Sequence, residues 1–255
     1  MTDANQDYVY GKNPVIEVLR SGQTVHKVWI AEDSMKGQMN QVLGLCKKMN
    51  VQVQTVPRKR LDQMADGIAH QGVIAQAAAY EYAEIDDLFA RAKERGEDPF
   101  FLVLDELEDP HNLGSILRTA DASGAHGVII PKRRSVGLTS TVAKTSAGAI
   151  AHVPVARVTN LARTMDELKK QGLWFVGTDA KGDVSYEGMT VDLPLALVIG
   201  SEGKGMSRLV KEKCDFLVSI PLMGKVTSLN ASVAASLLMY EVLRKRRELG
   251  MGADA

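Results

Sequence analysis

The sequence predicts an α/β protein in two parts: a parallel sheet covered on both faces over residues 99–255, preceded by a smaller α/β module over residues 1–80. Three observations carry this reading. From Pro99 onward, continuous apolar runs alternate with amphipathic segments, the pattern of strands buried on both faces and joined by helices. The first eighty residues hold a shorter alternation of their own. Between them EYAEIDDLFARAKERGEDP, acidic and ended by Gly and Pro, reads as a linker over residues 81–98 with a helical segment in it. A chain of 255 residues has room for this division.

In the first module NPVIEVLRSG has the spacing of a short amphipathic helix stopped by Gly22, and VHKVWIAE alternates like a strand. MNQVLGLCKKMN reads as a helix with a basic end, VQVQTVP as a strand stopped by proline, RLDQMADG as a short helix and HQGVIAQAAAY as a strand. In the second part FFLVLDEL is a buried strand, and DPHNLGSILRTADASGA is a helix opened by an Asp-Pro turn and closed by Gly124. HGVIIPK is a strand and STVAKTSAGA a helix of small residues. PVARV, LARTMDELKKQG, LWFVGTDA, PLALVIG, SRLVKEKC and DFLVSIPL then alternate strictly, and a long helix runs from about Ser228 to Leu249. Ligands of such sheets bind beyond the carboxyl ends of the strands. That singles out four exit loops: Glu106–Asn112, Gly177–Lys181, Gly200–Met206 and Pro221–Asn230.

Apolar residues make up 45% and charged residues 24%, as in ordinary globular proteins, which excludes wholesale disorder. The longest apolar stretches, such as LPLALVIG, are too short to span a bilayer. The polar start MTDANQDYVYG lacks the apolar core of a secretory signal, so a cytoplasmic protein is expected. Cys46 and Cys214 have neither pairing nor metal spacing and read as reduced structural residues. Net charge is zero, yet residues 81–100 hold three Lys/Arg against seven Asp/Glu, so both flanks are slightly basic. Local clusters steer partners more than the total does. Three basic clusters stand out: Arg58-Lys59-Arg60, Lys132-Arg133-Arg134 and Arg244-Lys245-Arg246-Arg247, each also compatible with a solvated face.

The stretch LVIGSEGKGMS resembles a phosphate loop only superficially. A Walker loop needs four residues between its first glycine and the Gly-Lys pair, whereas Gly200 and Gly203-Lys204 enclose two. Glu202 would also repel an anion. The loop is either a tight turn with a helix-capping glutamate or backbone approaching a cationic, hydroxyl-rich ligand. DPHNLGSILRTA places Asn112 in the turn and Arg118 one and a half turns into the next helix. IPLMGKVTSLNASVAASLLMYE places Ser228 and Asn230 where the last helix starts. A cap explains one of these two, not both.

These three stretches, in this order, resemble the three motifs of the SpoU (TrmH-type) branch of the SPOUT RNA methyltransferases. YVYGKNPVIEVL and HQGVIAQ extend the resemblance to the substrate-binding domain of the bacterial 23S rRNA guanosine 2′-O-methyltransferases, the RlmB group. The resemblance implies a SPOUT domain with a C-terminal deep trefoil knot, plus a small N-terminal L30e-like RNA-binding domain. It implies methyl transfer from S-adenosylmethionine to a ribose 2′-hydroxyl, with no metal, in a homodimer whose sites are completed across the interface. Cofactor contacts then fall to Thr178, Gly200, Gly203, Ile220, Met223 and Leu229. Arg118 acts on the 2′-hydroxyl, supported by Asn112, Glu202, Ser228 and Asn230. RNA contacts fall to Lys12, Asn13, Arg58, Lys59, Arg60, His70 and Gln71, although His70 taken alone reads first as a satisfied structural histidine. A guanidinium lacks an acceptor and stays charged, so holding a phosphate and stabilising developing oxyanion charge suits Arg118 better than acting as a base. Rival expectations are the same chemistry on transfer RNA and a non-catalytic, ribosome-associated RNA-binding protein.

Overall fold

The computed structural model describes residues 6–20, 23–34, 39–78, 80–180, 182 and 184–251. Gly22 and Lys181, named above as a helix stop and a loop end, lie outside them. The chain forms two compact units that meet between Glu81 and Tyr82.

The first unit is a four-stranded sheet of β1 (Gln6–Tyr10), β2 (Val25–Ala31), β3 (Gln52–Val56) and β4 (Val73–Ala78), ordered β1-β4-β2-β3. Only β2 and β3 are parallel. Helices α1 (Lys12–Arg20) and α2 (Met39–Lys48) bury Val15, Leu19 and Val42 against Val28, Ile30 and Val73 on one face. Helix α3 (Arg58–Ala65) covers part of the other, with Leu61 and Ala65 on Trp29 and Ile74. Strand β1 is an addition to the expected elements. QDYVY is a short edge strand, and such strands carry no apolar run to announce them.

The second unit holds seven strands: β5 (Phe100–Leu104), β6 (Gly127–Pro131), β7 (Val155–Val158), β8 (Trp174–Thr178), β9 (Val184–Ser185), β10 (Leu195–Ile199) and β11 (Phe216–Ser219). All pair in parallel, in the order β7-β6-β5-β10-β8-β11-β9. Central β5 and β10 are buried at every position, which is why they read as unbroken apolar runs. Helices α4 (Ile85–Arg95), α7 (Leu161–Lys169) and α8 (Arg208–Glu212) share a core with Phe101, Val103, Phe175 and Val198. Helix α5 (Pro110–Ala122) packs against α6 (Ser140–Thr145) and α9 (Ala231–Glu248), and α9 lies on β10. Burial of Leu238, Met239 and Val242 on α9 contributes roughly 1.5–3 kcal/mol each.

Residues 81–98 are more than a linker. A capping box between Glu84 and Asp87 starts α4, Gly96 ends it in a left-handed turn, and Leu88 and Ala92 are buried in the second unit's core. Alternation of apolar and charged residues along this acidic segment is therefore that of a core-facing helix.

Candidate active site

Strand order reverses beside β5: β6 and β7 extend the sheet on one side, β10, β8 and β11 on the other. Such a switch point parts the two exit loops and opens a crevice between them. Asp105, buried at the end of β5, ties the loops: its N–H donates to the Ile199 carbonyl at 2.8 Å, and its carboxylate accepts from the Ser207 N–H at 2.6 Å.

The glycine loop closes as a tight turn, with Ser201 and Gly205 exchanging backbone hydrogen bonds of 3.0 and 2.9 Å. A Cβ on Gly200 would lie 2.1 Å from the Gly205 carbonyl carbon, and Gly203 and Gly205 adopt φ of 79° and 70°. The glycines thus serve backbone-on-backbone packing within the turn. The carboxylate of Glu202 is directed to neighbouring elements. Its Oε1 accepts from Asn112 Nδ2 at 2.8 Å, from Asn230 Nδ2, and from the Ala231 N–H at 3.3 Å. Asn230 also donates to Asn112 Oδ1 at 2.9 Å. Its own Oδ1 caps α9 by accepting from the N–H groups of Ser232 and Val233. Asn112, Glu202 and Asn230 thus form one hydrogen-bonded triangle at the crevice. Asn112, 5% exposed, is its buried corner.

Beside the triangle lies a cleft of about 460 Å³. Thr178, Gly200, Gly203, Ile220, Ser228 and Leu229 line it, so the exits of β8, β10 and β11 converge there. This volume is in the range of small-molecule sites. Asp179 and Leu222, from two of the expected exit loops, also line the cleft, and Lys211 does so without having been expected; Asp179 and Lys211 form an ion pair at 2.5 Å. Lys211 lies on α8, just past the glycine-loop motif, on a segment whose spacing carried no signal. Helix α9 starts at Ala231 with Asn230 as its cap, which leaves Ser228 in the loop.

Two candidates stand apart. Met223 is 98% exposed and does not border the cleft. Arg118 is exposed on α5, six residues past Asn112, or about 9 Å further along the helix. Its neighbour Thr119 places Oγ1 3.0 Å from Ser236 Oγ of α9. Arg118 takes no part in the triangle's hydrogen bonds and is not among the residues that line the cleft.

In the first unit the Lys12 N–H donates to Gln71 Oε1 at 3.2 Å, which brings Lys12, Asn13 and Gln71 together. Arg58 pairs with Asp33 at 3.1 Å and holds that carboxyl below its usual range, while Lys59 and Arg60 are exposed. His70 is 5% exposed: Nδ1 accepts from the Gly72 N–H at 3.1 Å, and Nε2 faces Asp62 at 2.9 Å. Both ring nitrogens are engaged, so His70 fixes the loop and offers RNA no free edge.

A second cleft, of about 600 Å³, opens at the amino end of the sheet, beside the start of β5 and among the ends of α4, α5 and α9. No motif residue lines it. Burial pushes the Cys214 thiol up to about 12, so it is not a nucleophile at neutral pH. Among the described residues no group of His, Cys, Asp and Glu could hold a metal ion, and no helix is long and apolar enough to cross a membrane.

Comparison with known proteins bears on this site. The profile of the SpoU rRNA Methylase family matches residues 99–240, and that of the RNA 2′-O ribose methyltransferase substrate-binding domain matches residues 8–83. YacO of Bacillus subtilis, assigned to the TrmH family of tRNA/rRNA methyltransferases, is 67% identical over 96% of this chain and 98% of its own. The SpoU methyltransferase AviRb of Streptomyces viridochromogenes, solved with AdoMet, superposes with a TM-score of 0.65 at 26% identity, covering 97% of this chain and 93% of its own. An AdoMet-bound rRNA methyltransferase of Sinorhizobium meliloti has a TM-score of 0.61 at 26% identity, over 96% and 88%.

Proposed function

The chain belongs to the SpoU rRNA methylase family of RNA methyltransferases, and from that premise we propose that it methylates a ribose 2′-hydroxyl of RNA with S-adenosylmethionine as donor. The substrate in this reading is a guanosine in the peptidyl-transferase region of 23S rRNA. The observation that carries it is the triangle of Asn112, Glu202 and Asn230 beside a cleft built from three strand exits.

The cleft's chemistry fits the donor. Ile220, Leu222 and Leu229 offer apolar walls for an adenine, and the glycine turn offers main-chain groups. The carboxylates of Glu202 and Asp179 suit a sulfonium. When bound, S-adenosylmethionine supplies an already activated methyl group, which leaves the protein to orient the hydroxyl and manage its proton. Asn112 and Asn230, held by Glu202, are the orienting groups, and Ser228 faces the same cleft. Arg118 holds the flanking phosphate and stabilises charge growing on the oxygen.

Arg118 takes that role in a homodimer. Val233, Leu237 and Tyr240 form one stripe of α9 and are 47%, 40% and 51% exposed, so their own protomer does not cover them. They line a shallow groove with Ser236, the residue bonded to Thr119 next to Arg118. Pairing of two protomers over this stripe buries it and carries Arg118 to the partner's cleft. The trefoil knot of the SPOUT fold belongs to the same reading. Lys12, Asn13, Gln71 and the Arg58–Arg60 cluster serve as RNA contacts of the first unit.

Ribose-methylation mapping of rRNA and tRNA from a strain lacking this protein tests the reading. Loss of one 2′-O-methylguanosine in 23S rRNA is expected. A loss in tRNA instead transfers the activity to the rival substrate, and no loss in either leaves a non-catalytic RNA-binding protein.

A further inference from the structure

One basic cluster has no part in the site above: Lys132-Arg133-Arg134, at the exit of β6. We propose that this loop is the docking rail for the phosphodiester backbone of the RNA strand carrying the target ribose. The inference rests on the RNA-methyltransferase reading and adds where the strand runs on the second unit.

Position is the first argument. Strand β6 runs parallel to β5 on the side away from β10, so its exit loop stands at the same carboxyl end of the sheet as the triangle, across β5 from the cleft. Two strand spacings separate β6 from β10, on the order of 10 Å. A ribose at the β5–β10 crevice, with its methyl donor on the β8–β11 side, leaves its backbone to continue over β6.

Construction is the second. The loop is pinned to its neighbours at successive points. The Lys132 N–H donates to the Val158 carbonyl at 2.8 Å, and the Lys132 carbonyl accepts from Arg157 at 3.3 Å. The Val136 N–H donates to the Leu107 carbonyl at 2.8 Å, and the Leu138 N–H to the Tyr82 hydroxyl at 2.8 Å. Arg157 in turn stacks over the Tyr82 ring, 4.7 Å from its centre. Arg134 pairs with Glu106 at 3.1 Å, and both residues adopt φ of 55°. Left-handed backbone at two non-glycine residues costs about 1 kcal/mol or more each and persists where the surroundings impose it. The ion pair thus locks the β6 exit to the loop that leads into α5, the helix that carries Asn112.

Charge is the third. Arg134 is partly neutralised by Glu106, but Lys132 and Arg133 are exposed and among the described residues neither has a carboxylate partner. None of the clefts described above includes them. Two outward cations on a fixed loop without walls suit the repeated charges of a polyanion, not an enclosed small molecule.

The test compares the full-length protein with Lys132→Ala/Arg133→Ala and with the charge-preserving Lys132→Arg/Arg133→Lys. The readouts are RNA affinity by equilibrium binding at several salt concentrations, methylation KM and kcat, and S-adenosylmethionine affinity. The alanine pair should lower the slope of log affinity against log salt by about 1.4, from about 0.7 per lost single-strand phosphate contact. KM for RNA should rise while kcat at saturating RNA and donor affinity hold, and the charge-preserving pair should restore the slope. An unchanged slope and KM in the alanine pair would overturn the proposal, as would equal losses in both double variants. If the wild type binds RNA without methylating it, the proposed function fails, and the slope still decides this inference.

Discussion

Replacing Glu202 by alanine removes one acceptor oxygen that three donors share. The consequences differ at each. Asn230 keeps its bond to Asn112, and the Ala231 N–H, which borders the cleft, gives up only a long bond of 3.3 Å. Together these two losses amount to about 1 kcal/mol. The Asn112 amide is buried and has no such recourse, and stranding it costs roughly 1–3 kcal/mol. The sum, about 3 kcal/mol, is the energy that holds the glycine turn against α5 and α9. If the donor binds only the assembled arrangement, its affinity falls by up to about a hundredfold, since 1.4 kcal/mol is a factor of ten. Glu202→Gln keeps an acceptor oxygen and loses only the charge assistance, so its effect should be about 1 kcal/mol. Calorimetric titration with S-adenosylmethionine, with thermal melts to establish that each variant is folded, measures both. A Glu202→Ala protein that binds the donor as tightly as wild type would refute the reasoning, as would additive effects of Glu202→Ala and Asn230→Ala.

Arg118→Lys keeps a charge but loses the planar fork, and kcat should fall about a hundredfold with donor affinity intact; near-full rate with unchanged RNA affinity would remove Arg118 from the chemistry. A protein lacking residues 1–81 should bind S-adenosylmethionine normally and fail to methylate ribosomal RNA, whereas full activity would show that the first unit does not choose the substrate. His126 is fully buried, its Nδ1 accepting from the Phe100 N–H at 3.0 Å and its Nε2 facing Glu97 at 3.0 Å. Burial lowers its pKa to about 4, so the unfolded chain takes up a proton that the folded one refuses. Stability is complete above the unfolded value near 6.5 and declines as pH falls toward about 4, by about 3 kcal/mol at most. Melting temperature against pH should show that decline in wild type and a flatter profile in His126→Gln.

Much of this was legible in the sequence because burial on both faces makes parallel strands continuous. FFLVL and LALVI announced β5 and β10 directly. The three polar corners of the triangle were legible as motif residues, but not as neighbours. Asn112 and Glu202 are 90 residues apart, and they meet because β10 inserts beside β5. That insertion is topology, which local pattern does not encode. Arg118 read as part of the same pocket because motif order carries no distance, and it is exposed on α5 without lining the cleft. The Arg244–Arg247 cluster looked like a solvated helix end. Yet Arg246 is 7% exposed and donates to the carbonyls of Asp98, Pro99, Val191 and Leu193, and Arg244 pairs with Glu241 and Glu248. Carbonyl partners leave no trace in side-chain sequence, so a buried structural arginine and a surface one look alike.

The most direct measurement supplies purified protein with methyl-labelled S-adenosylmethionine and 23S rRNA, then digests the RNA to nucleosides. The account predicts label in 2′-O-methylguanosine from a single site, lost in Glu202→Ala. Label in a base-methylated nucleoside, or none above an enzyme-free control, would contradict it.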